Sequence, residues 1–301
     1  MELKAGQVAV VTGAASGIGF ALAEAFARRG LNIVLADVQD DALATATERI
    51  AALGVHTLAV KTDVSKEASV QALAQATLDR FGGVHIVCNN AGVGGKGDTW
   101  FGPVATWEWV LGVNLWGVVH GVRAFLPHLL QGGHIVNTAS IAGLMPGFSA
   151  PYDASKHAVV ALTETLYNDM ITANVPVGVS ALCPGWVRTG IMDSHRNWPA
   201  ELGEAPPDDP LSDIATTHVR RAIDEGMTPA AVAHMVLEAV ESGRFWIFPH
   251  DDFLAMAVKR WERIAEKLDP EMPEETPGMP PRSQVMAEVQ AAIEAMLTGL
   301  E

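Results

Sequence analysis

Tyr152 and Lys156 lie four residues apart in the segment Tyr-Asp-Ala-Ser-Lys, and Ser140 precedes them just after an apolar run. On a helix, residues at this spacing share one face. An ammonium group beside a phenol favours the phenolate and lowers the phenol's pKa from its ordinary value of about 10. Such a tyrosine can exchange a proton with an alcohol or a carbonyl oxygen near neutral pH. Tyr-x-x-x-Lys is a weak signal by itself, since any amphipathic helix could carry it, so the surrounding chain must decide.

The chain around these residues alternates apolar, β-rich runs with longer helical patterns. The expected strands are 7–11, 31–36, 55–60, 84–89, 133–139, 176–183 and 244–249. The expected helices are 17–29, 40–53, 66–81, 104–130, 150–173 and 228–242. This alternation predicts an α/β fold, a Rossmann-like doubly wound parallel sheet of about seven strands with helices on both faces. We expect one catalytic domain over 1–250 and a C-terminal helical extension over 251–301.

The regular alternation stops at 188–227, where clustered prolines and aspartates indicate a loop. Because a long loop in a compact domain usually serves as a lid or a binding segment, we expect a lid over the active site. Beyond it, an amphipathic helix is expected over 251–268, a proline-rich stretch over 270–281 and a final helix over 283–298. The sequence leaves open whether this tail caps the lid, docks on a partner subunit or packs on the domain.

Composition narrows the class of protein. The 301 residues are 49% hydrophobic and carry a formal net charge of -15, which permits a large core and argues against nucleic acid or an anionic membrane as a partner. Cys88 and Cys183 lie in apolar runs and are expected to be buried free thiols. No signal peptide fits the start, and no apolar stretch looks long and clean enough to span a bilayer. We therefore expect a soluble cytoplasmic protein.

A glycine-rich turn, Thr-Gly-Ala-Ala-Ser-Gly-Ile-Gly over 12–19, lies between the first expected strand and the first helix. Its glycines would let the backbone approach a pyrophosphate at the helix N-terminus. Asp37 ends the second expected strand, where an acid can bind an adenosine ribose and would repel a 2′-phosphate. The turn also has Ala15 and Ser16 where a basic residue could sit. These features favour NAD over NADP as the cofactor.

Taken together, these segments resemble the short-chain dehydrogenase/reductases, in their ordinary single-domain branch, over roughly residues 5–250. The resemblance is carried by the glycine turn, Asp63-Val64, Asn89-Asn90-Ala91-Gly92, Asn114, Ser140, Tyr152 with Lys156, and Pro184-Gly185-Trp186-Val187-Arg188-Thr189. One such motif could arise by chance, but their order and spacing together are highly specific.

The resemblance implies a role for each matching residue. Tyr152 would be the general acid/base, Ser140 would bond the substrate oxygen, Lys156 would bind the nicotinamide ribose, and Asn114 would hold a relay water. The implied cofactor-binding residues are Gly13, Ser16, Gly17, Ile18, Gly19, Asp37, Asp63, Val64, Asn90, Ala91, Gly92, Tyr152, Lys156, Pro184, Gly185, Val187 and Thr189. No metal is expected, because the histidines at 120, 128, 134 and 157 show no ligand spacing and are interpreted as surface or satisfied core residues.

The substrate pocket is expected to be apolar and roomy, lined by the segment after Ser140, the Gly94–Gly97 loop and the lid. Its candidate residues are Ser140, Ile141, Met145, Phe148, Trp186, Met192 and Trp198. The expected activity is NAD-dependent interconversion of a bulky hydrophobic or aromatic secondary alcohol and a ketone. The alternatives are a 3-oxoacyl-thioester reductase, which Asp37 argues against, and a non-catalytic dinucleotide sensor. The family resemblance also implies a homotetramer or homodimer, with the tryptophan-rich region 100–116 as packing or interface.

Overall fold

The computed structural model describes residues 1–94, 100, 102–206 and 210–298, with the side chains of 210–212 and 295–298 left out of the description. One seven-stranded parallel sheet runs through it in the order β3-β2-β1-β4-β5-β6-β7. The strands are β1 Val8–Thr12, β2 Asn32–Asp37, β3 Thr57–Lys61, β4 Ile86–Asn89, β5 Gly133–Thr138, β6 Val177–Leu182 and β7 Trp246–Ile247. This sheet confirms the predicted doubly wound α/β fold.

Helices cover both faces of the sheet. They are α1 Gly17–Arg28, α2 Asp40–Ala51, α3 Glu67–Phe81, α4 Val104–Leu111, α5 Gly117–Phe125, α6 Ala150–Thr172, α7 Pro210–Asp224, α8 Pro229–Ser242, α9 Asp251–Ala265 and α10 Arg282–Thr298. The side chains of β1 alternate between the two layers: Ala9 and Val11 pack with α1 and α8, whereas Val8 and Val10 pack with α3 and α5. A strand buried on both faces therefore reads as a continuous apolar run.

Local signals set several helix ends. Thr228 caps α8 by accepting a hydrogen bond from the backbone N–H of Ala231, and Pro229 occupies the first turn, where no N–H partner is needed. Gly243 then ends α8 at a φ of 72°. This left-handed conformation favours glycine because a Cβ atom is absent.

The interpretation of 188–227 as a loop is wrong in part. Short 3₁₀ turns at Ile191–Asn197 and Ala200–Leu202 are followed by the 15-residue helix α7, Pro210–Asp224. The proline and aspartate cluster, of which 207–209 lie outside the described residues, precedes this helix. The first N–H groups of a helix have no intrahelical partner, so a proline at this position costs no hydrogen bond. Pro210 therefore begins the helix.

The single helix predicted over 104–130 is subdivided. A π-helical turn, Gly112–Trp116, separates α4 from α5, and a 3₁₀ turn at Leu126–His128 follows. By length and composition alone, Val104–His128 could cross a membrane, contrary to the sequence expectation. Its Trp109, Val110 and Phe125 are buried in the protein core, which explains the apolar composition in a helix of this fold.

Candidate active site

The carboxyl ends of four strands meet where the strand order reverses, between β1 and β4. The glycine turn follows β1, Asn90 follows β4, Ser140 follows β5 and Pro184 follows β6. In open parallel sheets such a switch point forms a crevice for ligands. A cavity of about 1620 Å³ opens there.

Within the glycine turn, Gly13 and Gly19 are packed too tightly to carry a side chain. A Cβ atom on Gly19 would lie 2.1 Å from the Gly13 carbonyl oxygen and 2.6 Å from the Asn90 amide nitrogen. Gly13 has a φ of 66°, and its Cβ would lie 2.9 Å from the Cα atom of Ala91. The backbone of the turn can therefore form a cradle at the start of α1, an arrangement that suits a dinucleotide pyrophosphate.

Asp37 joins the end of β2 to this cradle. One of its carboxylate oxygens accepts a hydrogen bond from the Ala15 N–H at 3.0 Å, and the other accepts from the Gln39 N–H at 3.1 Å. The carboxylate is largely buried and lines the cavity. A fixed negative charge therefore stands at the edge where an adenosine ribose would lie.

Asp63 is held by its own turn, because its carboxylate accepts hydrogen bonds from the N–H and the hydroxyl of Ser65 at 3.0 and 2.7 Å. Val64 is buried beside it, and the carbonyl of Val64 bonds the ring of His120 at 2.9 Å. Both residues line the cavity. The loop after β3 thus presents a rigid wall on the same side as Asp37.

Ser140, Tyr152 and Lys156 converge on the cavity from β5 and α6. The Ser140 hydroxyl accepts from the Ala142 N–H at 3.1 Å and lies 3.3 Å from the Pro184 carbonyl. The Lys156 ammonium donates to the Thr138 carbonyl at 2.9 Å and lies 5.6 Å from the centroid of the Tyr152 ring. The structure therefore brings these three of the four predicted catalytic residues together.

The expectation that Lys156 lowers the pKa of Tyr152 is not met in this structure. Enclosure by protein atoms raises the pKa of Tyr152 above its ordinary value, although the residue remains partly exposed on the cavity side. A hydrogen bond with Ser140 opposes this rise, and the charge of Asp153 adds to it. Burial also lowers the pKa of Lys156, to about 8. Burial therefore disfavours the charged form of each residue.

Asn114 lies in the π-helical turn and is fully buried behind the cavity wall. Its carbonyl oxygen accepts from the Val93 N–H at 2.8 Å, and its amide donates to the Val93 carbonyl at 3.0 Å. A Cβ atom on Gly92 would lie 3.4 Å from the Asn114 side-chain oxygen and 3.6 Å from the Lys156 nitrogen. Gly92 thus leaves a gap between these two polar groups. Asn114 and Gly19 stand behind the cavity surface, unlike the other predicted site residues.

The predicted substrate residues also meet at the cavity. It is lined by Ser140, Ile141, Met145, Phe148, Trp186, Met192 and Trp198. Trp186 stacks edge-on against Phe148 with ring centroids 5.5 Å apart, and Trp198 stacks against Trp109 at 5.1 Å. Gly95, Lys96 and Gly97 of the predicted Gly94–Gly97 loop lie outside the described residues.

His250 is a site residue that the sequence analysis missed. Its Nδ1 accepts a hydrogen bond from the Gly185 N–H at 3.1 Å, so its Nε2 carries the proton and donates to the Trp186 carbonyl at 2.9 Å. Burial lowers the pKa of His250, which favours this neutral form. The histidine therefore holds the segment after β6 through hydrogen bonds, although it lies 65 residues beyond Gly185 in the chain.

Asp153 was also missed as a site residue, although it follows Tyr152 directly. One carboxylate oxygen accepts from the N–H groups of Gly147 and Phe148 at 2.9 and 3.2 Å. The other oxygen is buried without a hydrogen-bond partner in the described structure, and burial raises the pKa of this carboxyl. Asp153 thus fixes the loop that carries Phe148 into the cavity. The sequence signal that could have identified Asp153 was its position directly after the candidate catalytic tyrosine.

In the described part of the chain, no cluster of three or more His, Cys, Asp or Glu side chains could hold a metal ion. His120 and His134 are buried and hydrogen-bonded, as interpreted from the sequence, and His128 is exposed. Both cysteines are buried free thiols, as expected.

Comparison with known proteins agrees with this geometry. The family model for short chain dehydrogenases matches residues 7–200. The chain is 40% identical over 250 residues to the 1-deoxy-11-beta-hydroxypentalenate dehydrogenase of Streptomyces avermitilis, covering 81% of this chain and 84% of that protein.

Two solved structures bear on the cofactor. A short chain dehydrogenase/reductase from Burkholderia phymatum in complex with NAD is 45% identical, with a TM-score of 0.88 over 92% of this chain and 100% of that one. An actinorhodin polyketide ketoreductase with NADPH is 30% identical, with a TM-score of 0.68 over 81% of this chain and 95% of that one. The chain belongs to the short-chain dehydrogenase/reductase family and is an oxidoreductase that interconverts alcohols and carbonyl compounds.

Proposed function

We propose that this protein is an NAD-dependent dehydrogenase that interconverts a bulky, hydrophobic or aromatic secondary alcohol and its ketone. The observation that carries the proposal is the convergence of Ser140, Tyr152 and Lys156 on one cavity whose far edge holds the Asp37 carboxylate. The apolar wall formed by Ile141 and Phe148 supports a hydrophobic substrate.

Side chains of the protein carry out the proton transfer to and from the substrate oxygen. During oxidation the Tyr152 phenolate takes the alcohol proton, and during reduction the Tyr152 hydroxyl returns it to the carbonyl oxygen. Ser140 holds the substrate oxygen as its charge changes, and its hydrogen bond to Tyr152 opposes the rise of the Tyr152 pKa. Lys156 places a positive charge beside the tyrosine, and Asn114 faces it across the gap at Gly92. NAD⁺, when bound, supplies the hydride acceptor.

The preference for NAD rests on Asp37. Its charge would repel a 2′-phosphate, and each of its oxygens is already fixed by a backbone N–H. Arg196 comes within 3.4 Å of the Gln39 side-chain oxygen, two residues beyond Asp37. One guanidinium nitrogen of Arg196 donates to the carbonyls of Gly190 and Asp193, which holds the side chain to this turn.

We further propose that residues 1–250 form the catalytic unit and that 251–301 extend its substrate side, in a soluble cytoplasmic protein. The Trp186 indole donates to the Pro277 carbonyl at 2.6 Å, which supports this role for the proline-rich stretch. A homodimer or homotetramer is proposed through the α4–α5 surface, where Val104 and Trp116 are 70% and 54% exposed. Sedimentation of the Trp116→Glu variant should show a smaller assembly than the wild type, and an unchanged assembly would exclude this surface.

The decisive experiment compares Tyr152→Phe with Tyr167→Phe. We expect Tyr152→Phe to bind NADH like the wild type and to lose turnover by about 10²- to 10⁴-fold, because only the proton exchange is removed. Tyr167 is the other tyrosine of the chain and packs on Phe245, so its variant should keep turnover. The assay follows NADH formation with a panel of secondary alcohols. Turnover of Tyr152→Phe near the wild-type rate would refute the assignment.

A further inference from the structure

The C-terminal extension forms a wall of the cavity on the side of Ser140. Met256 of α9 packs against the cluster of Ile141 and Met145, which directly follow Ser140 in the chain. Phe253, one turn earlier in α9, is fully buried in the same cluster. A side chain on this face of α9 can therefore meet a substrate whose reacting oxygen lies at Ser140.

Arg260 is a basic side chain of this wall that has no carboxylate partner in the described structure. Its basic neighbours Lys259 and Arg263 share the single carboxylate of Glu271, at 3.9 and 2.8 Å. Arg260 instead donates one guanidinium N–H to the Leu144 carbonyl at 3.1 Å. In a chain of net charge -15, an unpaired cation on a cavity wall indicates a site for an anion.

The guanidinium of Arg260 is held beside the segment that follows Ser140. Leu144 follows Ser140 by four residues, with the 3₁₀ turn Ile141–Gly143 between them. The Arg260 guanidinium also lies 5.2 Å from the ring centroid of Trp261, and its side chain is half-buried. Arg260 and Ser140 thus line the same cavity, one from the C-terminal extension and one from the end of β5.

The chemistry of the guanidinium points to the ligand. It presents five N–H donors in a planar fork, of which Leu144 uses one. A planar fork pairs best with a carboxylate, through two parallel hydrogen bonds. Apolar surroundings, such as the Met145 and Phe148 side chains on the same cavity wall, strengthen such a pair relative to water.

We propose that Arg260 binds a carboxylate of the substrate, so that this enzyme acts on hydrophobic hydroxy acids and their keto acids. The inference rests on the proposed function, since Ser140 defines the reacting end. Arg260 would orient the far end of the molecule and select acids over neutral alcohols of equal size.

Binding of matched ketones tests the proposal without turnover. Isothermal titration of the protein, with no reduced cofactor present, would compare 4-acetylbenzoate with its methyl ester. A second pair, 4′-acetylbiphenyl-4-carboxylate and its methyl ester, places the two groups one ring farther apart. In at least one pair the acid should bind at least about tenfold more tightly than the ester, as a charge-assisted pair provides. Equal binding within both pairs, or no binding of any probe, would overturn the proposal.

Three variants assign the preference to the side chain. Arg260→Gln should bring the acid-to-ester ratio close to one, and Arg260→Lys should recover part of it because the charge returns without the fork. Lys259→Gln is the matched control, since Lys259 adjoins Arg260 on the same helix and is partnered by Glu271. An equal loss of the ratio in Lys259→Gln and Arg260→Gln would contradict a specific role, as would a ratio unaffected by Arg260→Gln.

Turnover separates this proposal from the proposed function. NADH formation would be followed with methyl 4-(1-hydroxyethyl)benzoate, 4-(1-hydroxyethyl)benzoate and their biphenyl counterparts. Oxidation of the ester alcohols without any binding preference for the acids would overturn the role of Arg260 and leave the dehydrogenase standing. An acid preference that depends on Arg260, without oxidation of any of the alcohols, would support the carboxylate site and count against the proposed alcohol chemistry.

Discussion

His134 makes the stability of the fold depend on pH in a way that can be calculated. Its side chain is 1% exposed, and its ring packs on Gly178, where a Cβ atom would lie 2.2 Å from Nδ1. Nε2 lies 2.8 Å from the Ser180 hydroxyl, which donates its own proton to the Arg244 carbonyl at 2.6 Å. Nε2 therefore carries the proton of a neutral imidazole. Burial, aided by the positive N-terminal ammonium, lowers the pKa of His134 to about 4.

The direction in which stability changes with pH follows from proton linkage. The unfolded chain, with a histidine pKa of about 6.5, binds more protons than the folded protein between pH 6.5 and pH 4. The contribution of His134 is therefore fully present above pH 6.5 and is lost as the pH falls through this window. Integration between pH 7 and pH 5 gives a loss of about 2 kcal/mol, and the acid limit is about 3 kcal/mol.

Urea unfolding of wild type and His134→Gln at pH 7 and pH 5 would measure this effect. Glutamine keeps an N–H donor for Ser180 and does not titrate, so its variant should lose about 2 kcal/mol less stability than the wild type over this interval. His85 and His250, whose pKa values burial also lowers, titrate in both proteins and cancel. Protein concentration is held fixed, because subunit association would otherwise shift the midpoint. An identical change in both proteins would refute the reasoning.

Three substitutions test the site directly. Gly19→Ala should abolish NADH binding measured by fluorescence, because the new Cβ would lie 2.1 Å from a carbonyl oxygen. The control Gly83→Ala, which has no atom within 4 Å of its Cβ, should bind NADH normally. Loss of binding in both variants would contradict the proposed cradle. The new Cβ in Gly92→Ala makes only ordinary contacts, so the free energy of unfolding should change by less than about 1 kcal/mol. The same atom fills the gap between Asn114 and Lys156, so kcat should fall at least about tenfold. An unchanged kcat would exclude a proton relay through this gap. Asp37→Ser removes the charge at the ribose edge and should shift the ratio of kcat/KM for NADP over NAD upward by at least about tenfold, whereas an unaltered ratio would show that Asp37 does not select the cofactor.

The fold was predictable because its signals are local. Each strand of the doubly wound sheet is a short apolar run, and each crossover helix carries its own periodicity and ends. The glycine turn and the Tyr152–Lys156 spacing are local as well, so their positions at strand and helix ends could be expected before any packing was known. The helix α7 escaped prediction, since prolines and aspartates at a helix start resemble those of a loop.

The chain by itself therefore determined the sheet, the crevice at the strand ends and most of the residues that meet there. Tertiary structure decided how those residues behave. Burial raises the pKa of Tyr152, and the charge of Asp153 adds to the rise, against the expectation drawn from Lys156. His250 reaches Gly185 across 65 residues, and Arg260 reaches Leu144 across 116. Such contacts depend on how separate elements pack, and no local spacing in the sequence encodes them.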